Sequence, residues 1–329
     1  MAKGTNQKLK LLYLAQIFSE ETDEDHGLTL AEIAQRLSRL DINAERKTLY
    51  QDFEELRRFG MDICTNQEGK SFRYFLGSRT FQLPELKLLV DAVQSSRFIT
   101  EQKSRELIKK LETLTSRSNA NQLQRQVLIA GRIKTMNESI YYNVDGLHTA
   151  IAKERQIQFR YFRWGPDKTM ILRHNGEFYT VSPWHLCWDD ENYYLVAYDS
   201  ASGRIKHYRV DKMKNITITD LPRDGAETME HLDLTIYTRR LFGMFGGEPI
   251  RVTLEGDDDM INVLIDRFGD EIPLSRKDGD RVETRVDVAV SPQFLGWVAS
   301  FGGKLTVTSP PSVKEQMRTL ARKLSEQYE

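Results

Sequence analysis

A chain of 329 residues is longer than one hydrophobic core usually organises, so two or three domains are expected, and 40% hydrophobic with 29% charged residues is the make-up of an ordinary folded protein. No apolar run approaches the roughly 20 residues that cross a bilayer, and Met1 to Lys10 is polar and basic with no apolar stretch, so a cytoplasmic protein without a membrane partner is expected. A net charge of −1 excludes any argument for nucleic acid from bulk basicity, and two cysteines, Cys64 and Cys187, outside any CxxC or Cys/His spacing, exclude a disulfide framework.

Residues 1–80 read as one unit. Leu11, Leu14, Ala15 and Phe18 recur at helical spacing, and the helix is expected to end in the acidic run Glu20, Glu21, Asp23, Glu24 and Asp25, a solvated loop. Thr29-Leu30-Ala31-Glu32 is a capping box that opens a second helix, with Leu30, Ile33 and Leu37 as its buried stripe. A third helix is expected from Asn43 as N-cap to about Phe59, closed by Gly60. In it Leu49, Phe53 and Leu56 fall at i, i+4 and i+7 and face the core. That turns Ala44, Lys47, Thr48, Gln51 and Arg58 outward, with Arg46 and Tyr50 on the flanks.

Gln pairs bidentately with adenine, and Lys or Arg with guanine or phosphate, whereas Glu54 and Glu55 in the C-terminal half repel phosphate. A helix that enters a major groove N-terminus first needs this polarity. Met61 to Thr65 and Ser71 to Leu76 then read as two strands joined by the loop Asn66 to Lys70, a wing that sets Lys70 and Arg73 against a neighbouring phosphate or minor groove. The candidate DNA-binding set is therefore Arg46, Lys47, Thr48, Tyr50, Gln51, Arg58, Lys70 and Arg73. The competing reading is an interaction domain whose charges form a solvated face. The stretch from Arg46 to Gly60, Arg-Lys-Thr-Leu-Tyr-Gln-Asp-Phe at its start, resembles the recognition helix of winged helix-turn-helix regulators of the deoR-like group. Their pattern is close to R-x-T-[IV]-x-R-D-[IL]-x-x-L, and Gln51 stands where it often has Arg.

Residues 81–139 carry two apolar stripes, Leu86, Leu89, Val90 and Val93 after Pro84, then Leu107, Ile108, Leu111 and Leu114. They predict two helices that act as a dimerisation or lever element or simply pack on a neighbour.

From 140 to 220 the period changes to alternation. Ile157, Phe159 and Tyr161 share one strand face, and Phe178–Ser182, Tyr193–Tyr198 and Ile205–Val210 are further β-rich segments, which implies a small barrel or curled sheet. Arg173, His174, Arg204, Lys206, His207 and Arg209 are interleaved with Tyr179, Trp184, Tyr194 and Tyr208, a mixture suited to an anionic, ring-bearing ligand. Aromatics in a small barrel are more often core than platform, Arg204 and Arg209 are equally read as surface ion pairs, and Asp189, Asp190 and Glu191 make an acidic turn nearby. Ser182-Pro183-Trp184-His185-Leu186, Tyr193-Tyr194-Leu195 and the run Gly203 to Asp211 resemble the WYL domain, with Tyr193 where the family name has Trp. The resemblance implies an Sm-like or SH3-like barrel that senses an effector, in some members nucleic acid or nucleotide-like. The candidate effector set is Arg173, His174, Tyr179, Ser182, Tyr194, Arg204, His207 and Arg209, with Ser182 and Tyr194 included by family position.

Residues 221–329 read as an α+β extension. After a loop from Leu221 to Glu227 and the Gly-rich Phe242 to Gly247 come a strand at Ile250–Leu254 and a helix with Ile261, Leu264, Ile265 and Phe268. A strand with Val282, Thr284, Val286, Val288 and Val290, a helix Pro292–Ser300, a strand Lys304–Thr308 and a last helix from Pro311 follow. Asp257, Asp258 and Asp259 open a helix, where carboxylates complement its dipole more simply than they ligate a metal. Phe294 to Gly302 resembles the extension that accompanies many WYL domains, which implies a ferredoxin-like element for dimerisation or arm exchange.

The chain as a whole thus reads as a multidomain α+β protein: winged helix-turn-helix (1–80), helical connector (81–139), WYL-like barrel (140–220) and C-terminal extension (221–329). The expected function is a dimeric transcriptional regulator of bacterial type that binds a double-stranded operator, needs no cofactor and responds to an effector, single-stranded nucleic acid or a nucleotide. No phosphate-loop, GxSxG or HExxH motif is present, so catalysis is not expected. A protein-binding adaptor, or less readily a nucleotide-processing enzyme, is the alternative.

Overall fold

A computed structural model describes residues 6–123, 134–135, 139–230, 233, 237–238, 240–277 and 279–329. The chain divides into two compact units, 1–136 and 137–329.

The first unit begins with three helices, α1 (Lys10–Glu21), α2 (Leu30–Ser38) and α3 (Arg46–Phe59), and a hairpin of β1 (Ile63–Glu68) and β2 (Ser71–Leu76). Leu14, Ile17 and Phe18 of α1, Ile33 and Leu37 of α2, and Leu49, Phe53 and Leu56 of α3 meet Ile63, Tyr74 and Leu76 of the hairpin in one core. Phe18 and Phe53 pack edge to face at 5.2 Å. Ile17 takes the place expected for Leu11, which is 40% exposed. The capping box of α2 forms as the spacing requires, Glu32 accepting from the Thr29 amide at 2.7 Å and Thr29 Oγ1 from the Glu32 amide at 3.3 Å.

Two expectations shift. Helix α3 starts at Arg46 rather than just after Asn43, with Glu45 extended at its N-cap and its carbonyl accepting from the Thr48 amide at 3.0 Å. In the hairpin Glu68 lies opposite Ser71, so the turn is only Gly69-Lys70, and Asn66 to Glu68 are strand rather than loop. Gly69 takes a positive φ there, the conformation a two-residue hairpin turn demands.

The acidic run is a solvated loop only in part, since Glu20 and Glu21 close α1 and only Glu24 and Asp25 are exposed. Asp23 is buried and accepts from Ser116 Oγ, His26 Nδ1 and the Asp25 amide; Glu20 pairs with Arg117 at 2.6 Å and Glu21 with Arg36 at 2.6 Å. Asp23 and Glu20 thereby dock the next segment, α4 (Leu83–Ser95), α5 (Glu101–Glu112) and α6 (Arg117–Leu123), three described helices where the two stripes predict two, while Glu21 ties α1 to α2. Leu86, Val90 and Leu123 form their core with Phe81, Leu83, Ile108 and Leu111, whereas Leu89 and Leu114, expected in the stripes, are exposed. The rest of the stretch up to 139 lies mostly outside the described residues.

The second unit opens with α7 (Ile140–Ala152), whose buried Asn143 donates to the carbonyls of Val210 and Met213. A curled antiparallel sheet follows: β3 (Arg155–Trp164), β4 (Met170–Leu172), β5 (Tyr179–Asp189), β6 (Asn192–Asp199), β7 (Arg204–Arg209) and β8 (Met213–Pro222). Its order is β4-β3-β5-β6-β7, and β8 returns to pair with β3. The expected loop at Leu221 to Glu227 is shorter, since β8 runs to Pro222 and a short helix α8 (Ala226–Glu230) follows.

A second sheet is built by β9 (Pro249–Asp257), β10 (Leu274–Arg276), β11 (Arg281–Ala289) and β12 (Leu305–Ser309), in the order β10-β11-β9-β12, all antiparallel. Helices α9 (Ile261–Phe268), α10 (Pro292–Ala299) and α11 (Pro311–Gln327) complete it. The alternation of β11 buries Val282, Thr284, Val286 and Val288 against Leu264, Phe268, Phe294 and Val298. No helix among the described residues is long and apolar enough to cross a membrane.

Candidate functional site

The exposed face of α3 follows from its buried one. With Leu49, Phe53 and Leu56 inward, Arg46, Lys47, Tyr50 and Gln51 stand exposed along the first two turns. The Arg46 guanidinium lies 6.0 Å from the Tyr50 ring centre, and the Tyr50 hydroxyl is 3.4 Å from that of Tyr74. Burial pushes the Tyr74 phenol up to about 12. The inner side of the same turns is pinned by Lys10, which is 6% exposed, pairs with the Asp52 carboxylate and donates to Thr48 Oγ1 at 3.1 Å. Thr48 in turn donates to the Glu45 carbonyl at 2.8 Å.

Thr48 is thus half-buried and engaged with the helix entrance. Arg58 pairs with Glu55 at 2.9 Å at the far end of α3. In the hairpin, Lys70 is exposed at the turn, whereas Arg73 is held by Glu68, by the Gly27 carbonyl at 2.9 Å and by Glu32 at 3.7 Å. Of the eight candidates, Arg46, Lys47, Tyr50 and Gln51 share one exposed surface, and Arg73 ties the hairpin to α2.

In the second unit the eight effector candidates separate. Arg173, His174 and Tyr179 gather at an aromatic cluster: Tyr179 stacks on Phe159 at 5.5 Å and meets Tyr161 at 6.2 Å and Tyr208 at 5.8 Å. The Arg173 guanidinium lies 5.8 Å from the Tyr161 ring centre and the His174 ring 5.5 Å from that of Tyr179. Burial raises the Tyr161 and Tyr208 phenols, and the Tyr208 hydroxyl is buried without a hydrogen-bond partner among the described residues. That orphaned hydroxyl is the feature of the cluster that a ligand or a water would satisfy.

Arg209 connects this cluster to the outer face of β6 and β7. Its amide donates to Tyr161 Oη at 3.1 Å, while its guanidinium forks onto Asp211 at 3.0 Å for each oxygen and reaches Asn192 Oδ1 at 2.7 Å. Burial opposes the charge, but the Asp211 carboxylate outweighs it and holds Arg209 above its ordinary value. Tyr194, paired across the strands with Arg209, is 8% exposed and packs with Val196, Met229, Leu241, Met244 and Ala289. On the same face His207 is 3.2 Å from the Tyr237 hydroxyl, and burial lowers its pKa to about 4, so it is uncharged at neutral pH.

Ser182 and Arg204 stand elsewhere. Ser182 is fully buried and accepts from the Asp224 amide at 2.8 Å; Arg204 is exposed opposite Asp199. Trp184 Nε1 donates to the Asp224 carbonyl at 2.9 Å, and Arg223 covers its ring at 3.6 Å. Sequence patterns alone do not single out Asn192 and Asp211 as partners of Arg209. The two-residue spacing of Arg209 and Asp211 was the legible signal, while Asn192 is brought in by strand register. Among the described residues no group of three or more His, Cys, Asp or Glu side chains is placed to hold a metal ion.

These features define a protein with a helical, hairpin-bearing N-terminal unit and a β-rich second unit containing an aromatic, cation-rimmed cluster. Residues 143–218 match the WYL domain and residues 248–325 the WCX domain, so the chain carries both. No curated protein matches the chain. Among solved structures it is similar to the proteasome accessory factor B/C (PafBC) of Arthrobacter aurescens, with 16% identity and a TM-score of 0.28 over 99% of this chain and 50% of that one. The chain thus spans half the length of that protein. It is also similar to a CRISPR Cas-related protein, with 13% identity and a TM-score of 0.38 over 99% of this chain and 92% of that one.

Proposed function

We propose that this WYL- and WCX-domain protein is a cytoplasmic, dimeric transcriptional regulator of bacterial type that binds a double-stranded operator through its first unit. The three helices and hairpin are read as a winged helix-turn-helix, with α3 as the recognition helix. The observation that carries the reading is the joint exposure of Arg46, Lys47, Tyr50 and Gln51 on the N-terminal half of α3. That surface offers cations for phosphate and a planar amide and guanidinium for base edges, where a groove-entering helix needs them.

The curled sheet is read as an Sm-like or SH3-like barrel that senses an anionic, ring-bearing effector, single-stranded nucleic acid or a nucleotide. The Tyr161, Tyr179 and Tyr208 cluster with Arg173 at its rim supports this. The β10-β11-β9-β12 sheet is read as a ferredoxin-like dimerisation element. An effector acts only by preferring one arrangement of the dimer over another.

The test is a binding measurement on DNA tiled across the protein's own promoter at fixed salt, with and without short single-stranded oligonucleotides. A sequence-specific complex is expected, and Lys47→Ala or Gln51→Ala should each weaken it by roughly 1–3 kcal/mol, the worth of one well-paired base. Absence of any specific complex returns the protein to the adaptor class. Unchanged affinity in both variants removes α3 from the interface.

A further inference from the structure

The short strand β4 is an edge of the curled sheet among the described residues, pairing with β3 through Trp164↔Met170, Arg163↔Ile171 and Phe162↔Leu172. All three of its side chains are apolar and more than a third exposed: Met170 40%, Ile171 37% and Leu172 37%. Proteins usually blunt an edge strand with charge, proline or a covering loop, because its free N–H and C=O groups invite another strand. Here none of the three residues carries a charge.

The phase of the hydrogen bonds fixes which backbone groups are free. Arg173 donates to the Tyr161 carbonyl at 2.7 Å and Gly165 to the Thr169 carbonyl at 2.8 Å, so the bonded pairs are 161/173 and 165/169. Bonded and non-bonded pairs alternate in an antiparallel ladder, which makes 163/171 bonded and turns the N–H and C=O of Met170 and Leu172 away from β3.

The neighbouring face is apolar and positive. Alternation puts Arg160, Phe162 and Trp164 on one side of β3, with Met170 and Leu172 beside them and Lys214 opposite Arg160. Lys212 Nζ, which also pairs with Asp211 at 3.3 Å, lies 5.3 Å from the Phe162 ring centre and 5.4 Å from that of Trp164, and Lys214 Nζ lies 5.6 Å from Phe162. Arg160 covers the exposed Phe178 ring at 4.6 Å, and its Nε is buried with no hydrogen-bond partner among the described residues. Arg163 and Lys168 are exposed on the same hairpin, whose Asp167 is folded onto Thr169.

We propose that β4 is the docking edge for an acidic peptide segment of a partner protein, which adds to the sheet as a strand beside Met170–Leu172 and sets its carboxylates against Arg160, Lys212 and Lys214. Free strand-edge amides with aliphatic neighbours suit a peptide backbone, whereas a nucleic-acid platform relies on aromatic faces and makes no ladder. A second copy of this chain would bring the same cations together. The proposal does not depend on the DNA reading of α3.

The probe is a terminally blocked octapeptide alternating Glu with Val and Phe, added to the full chain and followed by residue-resolved amide hydrogen exchange. It is expected to slow exchange at Met170 and Leu172 at least tenfold at saturation and to leave Ile171, already bonded to β3, unchanged. The same peptide with Lys for Glu is expected to give no slowing, and Lys214→Glu and Met170→Lys to weaken binding at least tenfold each. No slowing at either amide up to millimolar peptide overturns the proposal, as does equal slowing by the Lys peptide. Slowing by an oligothymidine instead assigns the surface to nucleic acid. Slowing that rises with protein concentration alone assigns it to a second copy, and either result also overturns the acidic-peptide reading.

Discussion

Ser182 holds the backbone amide of Asp224, 42 residues further along the chain, at 2.8 Å. Trp184, two residues on, holds the carbonyl of the same residue at 2.9 Å, so the crossing from β8 to α8 is gripped on both polar groups. The fit is close: a Cβ on Gly225 would lie 2.3 Å from the Tyr198 ring. Replacing Ser182 by Ala leaves the Asp224 amide unsatisfied in a partly buried site and is expected to cost about 1–3 kcal/mol. Urea unfolding of Ser182→Ala should show a lower midpoint with an unchanged slope. An unchanged midpoint would assign the Ser182 hydroxyl to something other than this clasp.

Lys10 is expected to matter to DNA binding without touching DNA. It anchors Asp52 and Thr48 on the inner side of α3, so Lys10→Met leaves the Asp52 carboxylate without its counter-charge. The carboxylate retains some solvent, so the loss is set below that of a fully buried pair, at about 1–3 kcal/mol. Adding Asp52→Leu should recover stability but not operator affinity, because the tether of α3 stays absent. Equal recovery of both would separate the tether from recognition.

Asp23 makes the first unit acid-sensitive. Burial works against its charge, but hydrogen bonds from Ser116 and then His26 outweigh it and hold the carboxyl below the usual carboxylate value. A folded-state pKa below the unfolded one means that the unfolded chain binds the proton first. The stabilisation is therefore complete above the ordinary carboxylate pKa and is lost as pH falls through that value and below it. Asp23→Asn should flatten this acid limb of stability, measured by unfolding at a series of pH values. A variant with the same limb as the parent would sink the assignment.

His207 gives the second unit a separate pH signature. Burial lowers its pKa from 6.5 to about 4, so the folded state again binds fewer protons than the unfolded one. Its contribution is full above about 6.5 and declines as pH falls towards about 4, by up to about 3 kcal/mol. Imidazole carbon shifts should stay those of the neutral ring until about pH 4, and His207→Gln should lose this part of the pH dependence. A ring that titrates near 6.5 would contradict its burial beside Tyr237.

The parts of the fold that were legible are those governed by short spacings. Thr29 and Glu32 are three residues apart, and Leu49, Phe53 and Leu56 share one face of one helix, so capping and periodicity specify them without knowledge of the rest of the chain. Asn43 is a good cap locally, yet the extended backbone at Glu45 puts the start of α3 two residues later. The acidic run shows the same limit of local pattern. Its carboxylates look solvated until Ser116 and Arg117, more than ninety positions away, are brought against them.

The spacing sets the change to an alternating period at 140, whereas the structure keeps a helix to Ala152 before β3 begins at Arg155. The sequence by itself determined the alternating faces of β3 and β11 and the exposed polarity of α3, because side-chain direction repeats every 3.6 or 2 residues whatever surrounds it. Tertiary structure alone decided the partners of the polar groups. Arg209 is committed to Asn192, Ser182 to Asp224, His207 to an uncharged state, and Met170 and Leu172 to an open strand edge. Hydrogen bonds and desolvation depend on distances of a few ångströms between residues far apart in the chain, and no local pattern encodes those distances.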